Sequence, residues 1–224
     1  MEGARNRMMS GVADFALSLA PEDVPEAARR DAALMLLDTL GVAAAASPME
    51  AGRIARDTAS LLYGSSDPAH RARMLFDGRE ASLAGAAYAA ATQTDNLDAH
   101  YGYNPVKGHI GVATIPALLA LAEQAKPMSG AEALMLVTLG YEIAGRAGLA
   151  LHATVSDYHT SGAWNALGVA AMASRLRGLS ASQLREAIGI AEYHGPLSQM
   201  MREIAKPSKL HDGAGWGAVV GSFS

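Results

Sequence analysis

The sequence predicts an all-α domain. Hydrophobic residues fill 50% of the 224 positions, yet aromatics supply only 5%. Alanine and glycine dominate the apolar segments, and serine-led capping signals open several of them. Small apolar residues favour helices at close range over sheets built on β-branched and aromatic side chains. No linker, repeat or low-complexity tract divides the chain, so residues 1–224 read as one mainly helical domain.

The elements follow in order. A first helix is expected from about Ser10 to Leu19, broken by Ala20-Pro21-Glu22-Asp23. Pro25 suits the first turn of a second helix, and Glu26 complements its positive end. That helix runs to about Ala46, and a third spans Ala51 to Tyr63. Gly64-Ser65-Ser66-Asp67-Pro68 is a loop by composition. Arg73 to Phe76 reads as a short strand ended by the Asp77-Gly78 turn. Ser82 can cap a helix from Leu83 to Gln93. Val112 to Gln124 reads as a buried helix. Ser129-Gly130-Ala131-Glu132 and Ser180-Ala181-Ser182-Gln183 are capping boxes, opening helices to about Leu151 and Glu192. Between them a helix covers Ser161 to Leu176. A loop follows to Asp212, and a last helix begins near Gly213. Gly140, Ala144 and Gly148 recur at helical spacing and permit another helix to approach closely.

Composition excludes several functions. A net charge of −4 leaves no electrostatic footprint for nucleic acid. With no cysteine there is no disulfide, thiolate metal site or cysteine nucleophile. Met1 to Met9 lack the apolar stretch of a signal peptide. The longest uncharged apolar runs, such as Ile110 to Ala122, fall short of the roughly 18 residues that suggest a membrane span. A cytoplasmic protein without membrane or nucleic-acid partners is expected.

The chemistry concentrates in Asp95-Asn96-Leu97-Asp98-Ala99-His100 and Lys107-Gly108-His109-Ile110-Gly111. Two carboxylates, two imidazoles and an ammonium between apolar segments suit general acid–base work, which needs groups whose proton affinities can be pushed apart. A pattern also recurs: His109 precedes Gly111, His159 precedes Gly162 and His211 precedes Gly213, each at a helix start. Helix N-termini present unsatisfied N–H groups and positive partial charge, so three of them could surround a small polycarboxylate. Asp95, Asp98, His100 and His109 could make a metal site of nitrogen and oxygen. They lack the paired i, i+4 histidines of a zincin helix, however, and no metal is expected. His70 reads as solvated, His194 as a helix-end residue, Asp38 as a satisfied buried carboxylate or helix contact, and Trp164 and Trp216 as core anchors.

The motifs taken together resemble the MmgE/PrpD family, which includes 2-methylcitrate dehydratases, cis-aconitate decarboxylases and an iminodisuccinate epimerase. The resemblance runs through Leu36-Leu37-Asp38-Thr39-Leu40-Gly41, Leu75-Phe76-Asp77-Gly78, the two polar segments above, Pro116 to Glu123, Gly140-Tyr141-Glu142, His159-Thr160-Ser161-Gly162 and Asp212-Gly213-Ala214-Gly215-Trp216-Gly217-Ala218. It implies the family's helical domain, a cofactor-independent reaction on a small di- or tricarboxylate, and a homodimer. It also implies a site shared with a smaller α/β lid domain. Carried over by position, His109, His159 and Asp95 become catalytic candidates. Asp98, His100, Lys107, Lys209 and His211 become substrate-binding ones. Two departures stand out: Ala99 occupies a place where many members have threonine, and His211 one where many have lysine, which leaves Lys206 or Lys209 to supply an ammonium. Family proteins are longer, and nothing in these residues corresponds to the lid. The chain is therefore expected to be truncated relative to the family and incomplete as an enzyme alone, as a fragment, a truncated gene product or one part of a split enzyme whose lid is borne by a separate partner. Two alternatives stand beside this reading: a non-catalytic dimerisation or ligand-binding protein of the same fold, and a metal hydrolase resting on the His/Asp cluster.

Overall fold

A computed structural model describes residues 11–205 and 212–224. Among them the architecture is all-α, with a single two-stranded hairpin. Helix α1 covers residues 11–18. It is followed by α2 (Glu26–Ala46), α3 (Glu50–Leu62), strands β1 (Arg71–Arg73) and β2 (Glu80–Ser82), α4 (Leu83–Leu97), α5 (Gly111–Ala122) and α6 (Gly130–Thr154). The chain continues with α7 (Gly162–Leu176), α8 (Ala181–His194), the short α9 (Met200–Ile204) and α10 (Ala214–Phe223).

The capping signals act as the sequence implies. Ser82, Ser129 and Ser180 accept hydrogen bonds from the backbone N–H groups of Gly85, Glu132 and Gln183. At Ser129 and Ser180 the third helical side chain bonds back, closing both capping boxes. α5 shows what the composition is for: ten of its residues, from Gly111 to Leu121, are buried. It lies among α2, α4, α6, α7 and α10, where a helix apolar all round belongs.

Close helix crossings replace bulky side chains as the source of packing. A Cβ on Gly217 would lie 2.7 Å from the Gly162 carbonyl, and one on Gly221 would lie 2.5 Å from the Ala166 carbonyl. α10 therefore sits almost backbone to backbone on α7. The small-residue face of α6 is used in the same way. Gly140 and Ala144 border Gly168 of α7, and Gly148 receives Trp164. That face packs within the chain and is not left for a second copy.

Several elements differ from the sequence reading. The strand lies at Arg71–Arg73, ahead of the expected Arg73–Phe76, and pairs with β2 in the antiparallel register Arg71↔Ser82, Ala72↔Ala81, Arg73↔Glu80. α4 runs one turn beyond Gln93, so Asp95 belongs to a helix and not to the polar loop. α6 extends to Thr154 and takes His152 into its last turn. α9 stands where only loop was expected. By length and composition α6 is also apolar enough to cross a membrane, although no uncharged run of that length exists; half of its most apolar window is buried inside the domain.

Candidate active site

Helices α5, α7 and α10 begin at one place. The His109 backbone N–H donates to Ser161 Oγ at 3.1 Å, and Asn165 Nδ2 donates to the His109 carbonyl at 2.8 Å. The Ser161 N–H donates to Asp212 Oδ1 at 2.8 Å, and the Thr160 hydroxyl donates to the same oxygen at 3.0 Å. Asp95, at the end of α4, accepts the N–H of Ala214. Carboxylates of the chain itself thus occupy the positive ends of α7 and α10.

Both carboxyl groups are buried. Burial pushes Asp95 well above the ordinary carboxylate range, the negative charge of Asp212 adds to the rise, and the Ala214 N–H opposes it. Asp212 is raised for the same leading reason, opposed by its Ser161 and Thr160 hydrogen bonds and by His109. Among the described residues, Asp212 Oδ2 is buried with no hydrogen-bond partner. Two like charges this close favour keeping a proton on the pair.

From Asp95 a row of titratable groups leads outward. His100, its side chain only 1% exposed, places Nε2 3.9 Å from Asp95 Oδ1. The His100 and His109 rings meet edge to face, with centroids 4.3 Å apart. His109 Nδ1 lies 3.2 Å from the Tyr101 carbonyl, and its Nε2 lies 3.8 Å from Asp98 Oδ1. A carbonyl can only accept, so that contact assigns the proton of neutral His109 to Nδ1 and the lone pair to Nε2. The Tyr101 N–H is in turn anchored by Asp38 Oδ2 at 2.8 Å. Asp38 is exposed on α2, which corrects the expectation of a buried carboxylate.

The backbone is bent to make this arrangement. Four non-glycine residues have positive φ among the described residues, and three of them, Asp98, Lys107 and Asp212, belong to this region. Such conformations cost about 1–2 kcal/mol each for most L-residues, less for aspartate. They persist where the surroundings determine them and concentrate at functional sites.

Asp95, Asp98, His100 and His109 are therefore brought together. His159 and Lys107 form a neighbouring group. His159 lies on the segment leading into α7, with Nδ1 2.9 Å from the Asp157 carbonyl and its N–H donating to His152 Nε2 at 3.4 Å. Burial lowers the proton affinity of His152, and the positive charges of His159 and Lys107 lower it further. A cleft of about 310 Å³ lies between this loop and the Pro105–Lys107 turn. Lys206, Lys209 and His211 lie outside the described residues.

Two site residues were not singled out from the sequence. Asp212 carried a signal in its place just before a glycine-led helix. His152 carried none, since it becomes part of the group only through the extra turn of α6. Trp164 is buried against Gly148, as expected. Trp216 is half exposed, its ring edge-on to Tyr88 at 6.1 Å, and it lines a cleft of about 230 Å³ with Asp95 instead of anchoring the core. His70 is exposed beside Asp67, and His194 ends α8 against Tyr193.

These features define a helical domain whose acid–base groups gather where three core helices begin. The chain belongs to the MmgE/PrpD family: the MmgE/PrpD N-terminal domain matches residues 10–221. It is similar to the cis-aconitate decarboxylase of Aspergillus terreus, 25% identical over 198 residues that cover 84% of this chain and 39% of that protein. It is also similar to the cis-aconitate decarboxylase of Aspergillus terreus strain NIH 2624 / FGSC A1156, 24% identical with the same coverage. The chain thus spans about two fifths of the length of these curated relatives.

Proposed function

We propose that this domain carries the proton-transfer groups of a cofactor-independent, cytoplasmic lyase or isomerase acting on a small di- or tricarboxylate. The observation that carries the reading is the orientation of His109: one ring nitrogen held by the Tyr101 carbonyl, the other facing Asp98. A ring held in this way can take a proton from carbon beside a substrate carboxylate at Nε2 and return it, or protonate the carbanion left when carbon dioxide departs. Lys107, His152 and His159 offer cationic or N–H partners for the substrate carboxylates and for the enolate-like charge that develops. Asp95 and His100 form the buried end of the row, and the His100 ring packs edge to face against His109. The names of the curated relatives favour decarboxylation within this class, while dehydration and epimerisation use the same first step.

Association of two copies belongs to the same proposal. Leu34 and Leu37 on α2 and Leu61 and Leu62 on α3 are exposed and provide apolar surface for it. A clean monomer by light scattering at micromolar concentration would count against that part.

The central test is calorimetry and turnover with cis-aconitate, citrate-type acids and acetate. The tricarboxylates should bind more tightly than acetate, and His109→Gln should remove turnover while leaving the fold intact. Binding without turnover under all conditions, including with a lid-bearing partner, would favour the non-catalytic ligand-binding reading.

A further inference from the structure

We propose that Asp98, His100 and His109 form a binding site for a divalent transition-metal ion of the zinc class. Each residue offers one donor atom, and the three atoms lie within 4.8 Å of one another. Zinc bonds to nitrogen and oxygen are about 2.0–2.2 Å long, so donors sharing one ion sit about 3.4 Å apart at a tetrahedral angle. The 3.8 Å between His109 Nε2 and Asp98 Oδ1 is close to that span. Two imidazoles and one carboxylate form a donor set that suits zinc or a similar ion with an open fourth position.

The arrangement behind the donors argues for an ion more strongly than proximity does. Metal-bound histidines typically have the second ring nitrogen engaged by a carbonyl or carboxylate, which fixes the tautomer and the ring plane. Here the Tyr101 carbonyl engages His109 Nδ1 and leaves the Nε2 lone pair facing Asp98. His100 Nε2 lies 3.9 Å from Asp95 Oδ1, beyond hydrogen-bond distance, so the second-ring contact is shown for His109 alone. Two acceptors facing each other are relieved by a proton or a cation between them. Asp98 is held in the left-handed region at φ 51°, aimed at this space. Its side chain is 56% exposed and that of His109 26% exposed, so an ion can enter from solvent. Sequence spacing conceals the site, because His100 and His109 come from opposite ends of a loop and not from one helix face.

Occupancy has a consequence. An ion on Nε2 takes the lone pair that would accept the substrate proton, so zinc and proton transfer exclude each other at His109. This consequence rests on the proposed lyase or isomerase function, whereas the binding itself does not.

The test is titration of the metal-stripped, full 224-residue chain with Zn²⁺ by calorimetry and with Co²⁺ by visible absorption. One equivalent should bind at micromolar or tighter affinity, with the absorption of four- or five-coordinate Co²⁺. Asp98→Asn, which tolerates the same backbone conformation, and His109→Gln should each weaken binding by about 10- to 100-fold, the range typical of disturbed metal sites. Circular dichroism should confirm that both variants fold. His70→Ala and His194→Ala, both exposed and away from the cluster, should bind as the parent does. Failure to bind one equivalent, or a loss that follows His194 and not Asp98 and His109, overturns the proposal. Zinc binding with the expected losses but without any turnover would leave the metal site standing and remove the catalytic reading. Turnover without zinc binding would do the reverse.

Discussion

His109 Nε2 faces Asp98 Oδ1 at 3.8 Å while the Tyr101 carbonyl holds its Nδ1. The Nδ1 proton is therefore tied to the Tyr101 carbonyl, and proton exchange is left to Nε2, with Asp98 beside it. Loss of a positioned acid–base group typically costs about 10²- to 10⁴-fold in rate. His109→Gln should fall in that range in single-turnover assays with the preferred carboxylic acid. Asp98→Asn should retain more activity, because it keeps a polar partner and removes only the charge. A larger loss in Asp98→Asn than in His109→Gln would indicate that the carboxylate, and not the imidazole, transfers the proton.

Asp95 sets a pH dependence of stability. Its folded-state proton affinity is raised, first by burial and then by Asp212. Between the unfolded value of about 3.9 and the raised folded value, the native state binds more protons than the unfolded one. The stabilisation from protonated Asp95 is therefore complete below about pH 4 and is lost as pH rises through the folded value. Asp95→Asn keeps an oxygen acceptor for the Ala214 N–H and cannot ionise. Urea denaturation from pH 4.5 to 8 should show a flatter profile for the variant and no loss at neutral pH. A parent-like slope in the variant would assign the effect elsewhere.

Asp77 acts with the opposite sign. Its hydrogen bond to Arg79, at 2.6 Å, lowers its pKa to about 2, with Arg56 at 3.0 Å contributing charge. Stability from this group is present above the unfolded value of about 3.9 and is lost as pH falls toward the folded value. The cluster also ties α3 to the hairpin turn through Arg56 and Asp77, and Arg56 further bonds Gln93 of α4 and the Ser47 carbonyl after α2. Arg79 is half exposed, so the expected cost of Asp77→Asn is on the order of 1–2 kcal/mol at pH 7. Denaturation midpoints should converge with the parent near pH 2.

Helices were legible in the sequence wherever a capping side chain or a proline marked a boundary, as at Pro25, Ser82, Ser129 and Ser180. Boundaries without such a marker slipped. α4 continues past Gln93 into a turn where Thr94 and Asp95 are buried and Asp95 accepts the Ala214 N–H of α10, a contact between residues more than a hundred positions apart. The same limit governed the site. Asp95, Asp98, His100 and His109 are close in sequence and were recognised. Asp212 and His152 reach the region only through the crossing of α7 with α10 and the last turn of α6. Trp216 was misjudged because an aromatic in an apolar helix reads as core until the neighbour it lacks is known.

Two glycines of similar appearance should respond oppositely to alanine. Gly221 would place a Cβ 2.5 Å from both the Ala166 carbonyl and Val169 Cβ, so Gly221→Ala must separate α10 from α7. Overpacking of this kind costs about 1–3 kcal/mol. Gly189, inside α8, has nothing within 4 Å of its Cβ position. Gly189→Ala should stabilise by about 0.5–1 kcal/mol through helix propensity and a less free unfolded chain. Thermal melts of the two variants check both signs, and a neutral Gly221→Ala would show that the crossing is looser than drawn.

The exposure of the outer end of the row bears on catalysis. Asp98 and His109 contact solvent, whereas Asp95 and His100 do not. Charge developing on a substrate at His109 would be shared with water, which weakens the contribution of fixed donors at Lys107, His152 and His159. A misplacement of about 1 Å can already cost on the order of 100-fold in rate. The 224-residue chain assayed alone should therefore bind cis-aconitate or a related acid measurably but turn it over slowly. A polypeptide that covers the Asp98–His109 face should raise kcat more than it lowers KM, because it would strengthen interactions formed in the transition state. That gain should vanish in His109→Gln and shrink in His159→Ala. Rapid turnover by the 224-residue chain alone, abolished by His159→Ala, would show that the exposed row already makes a complete site.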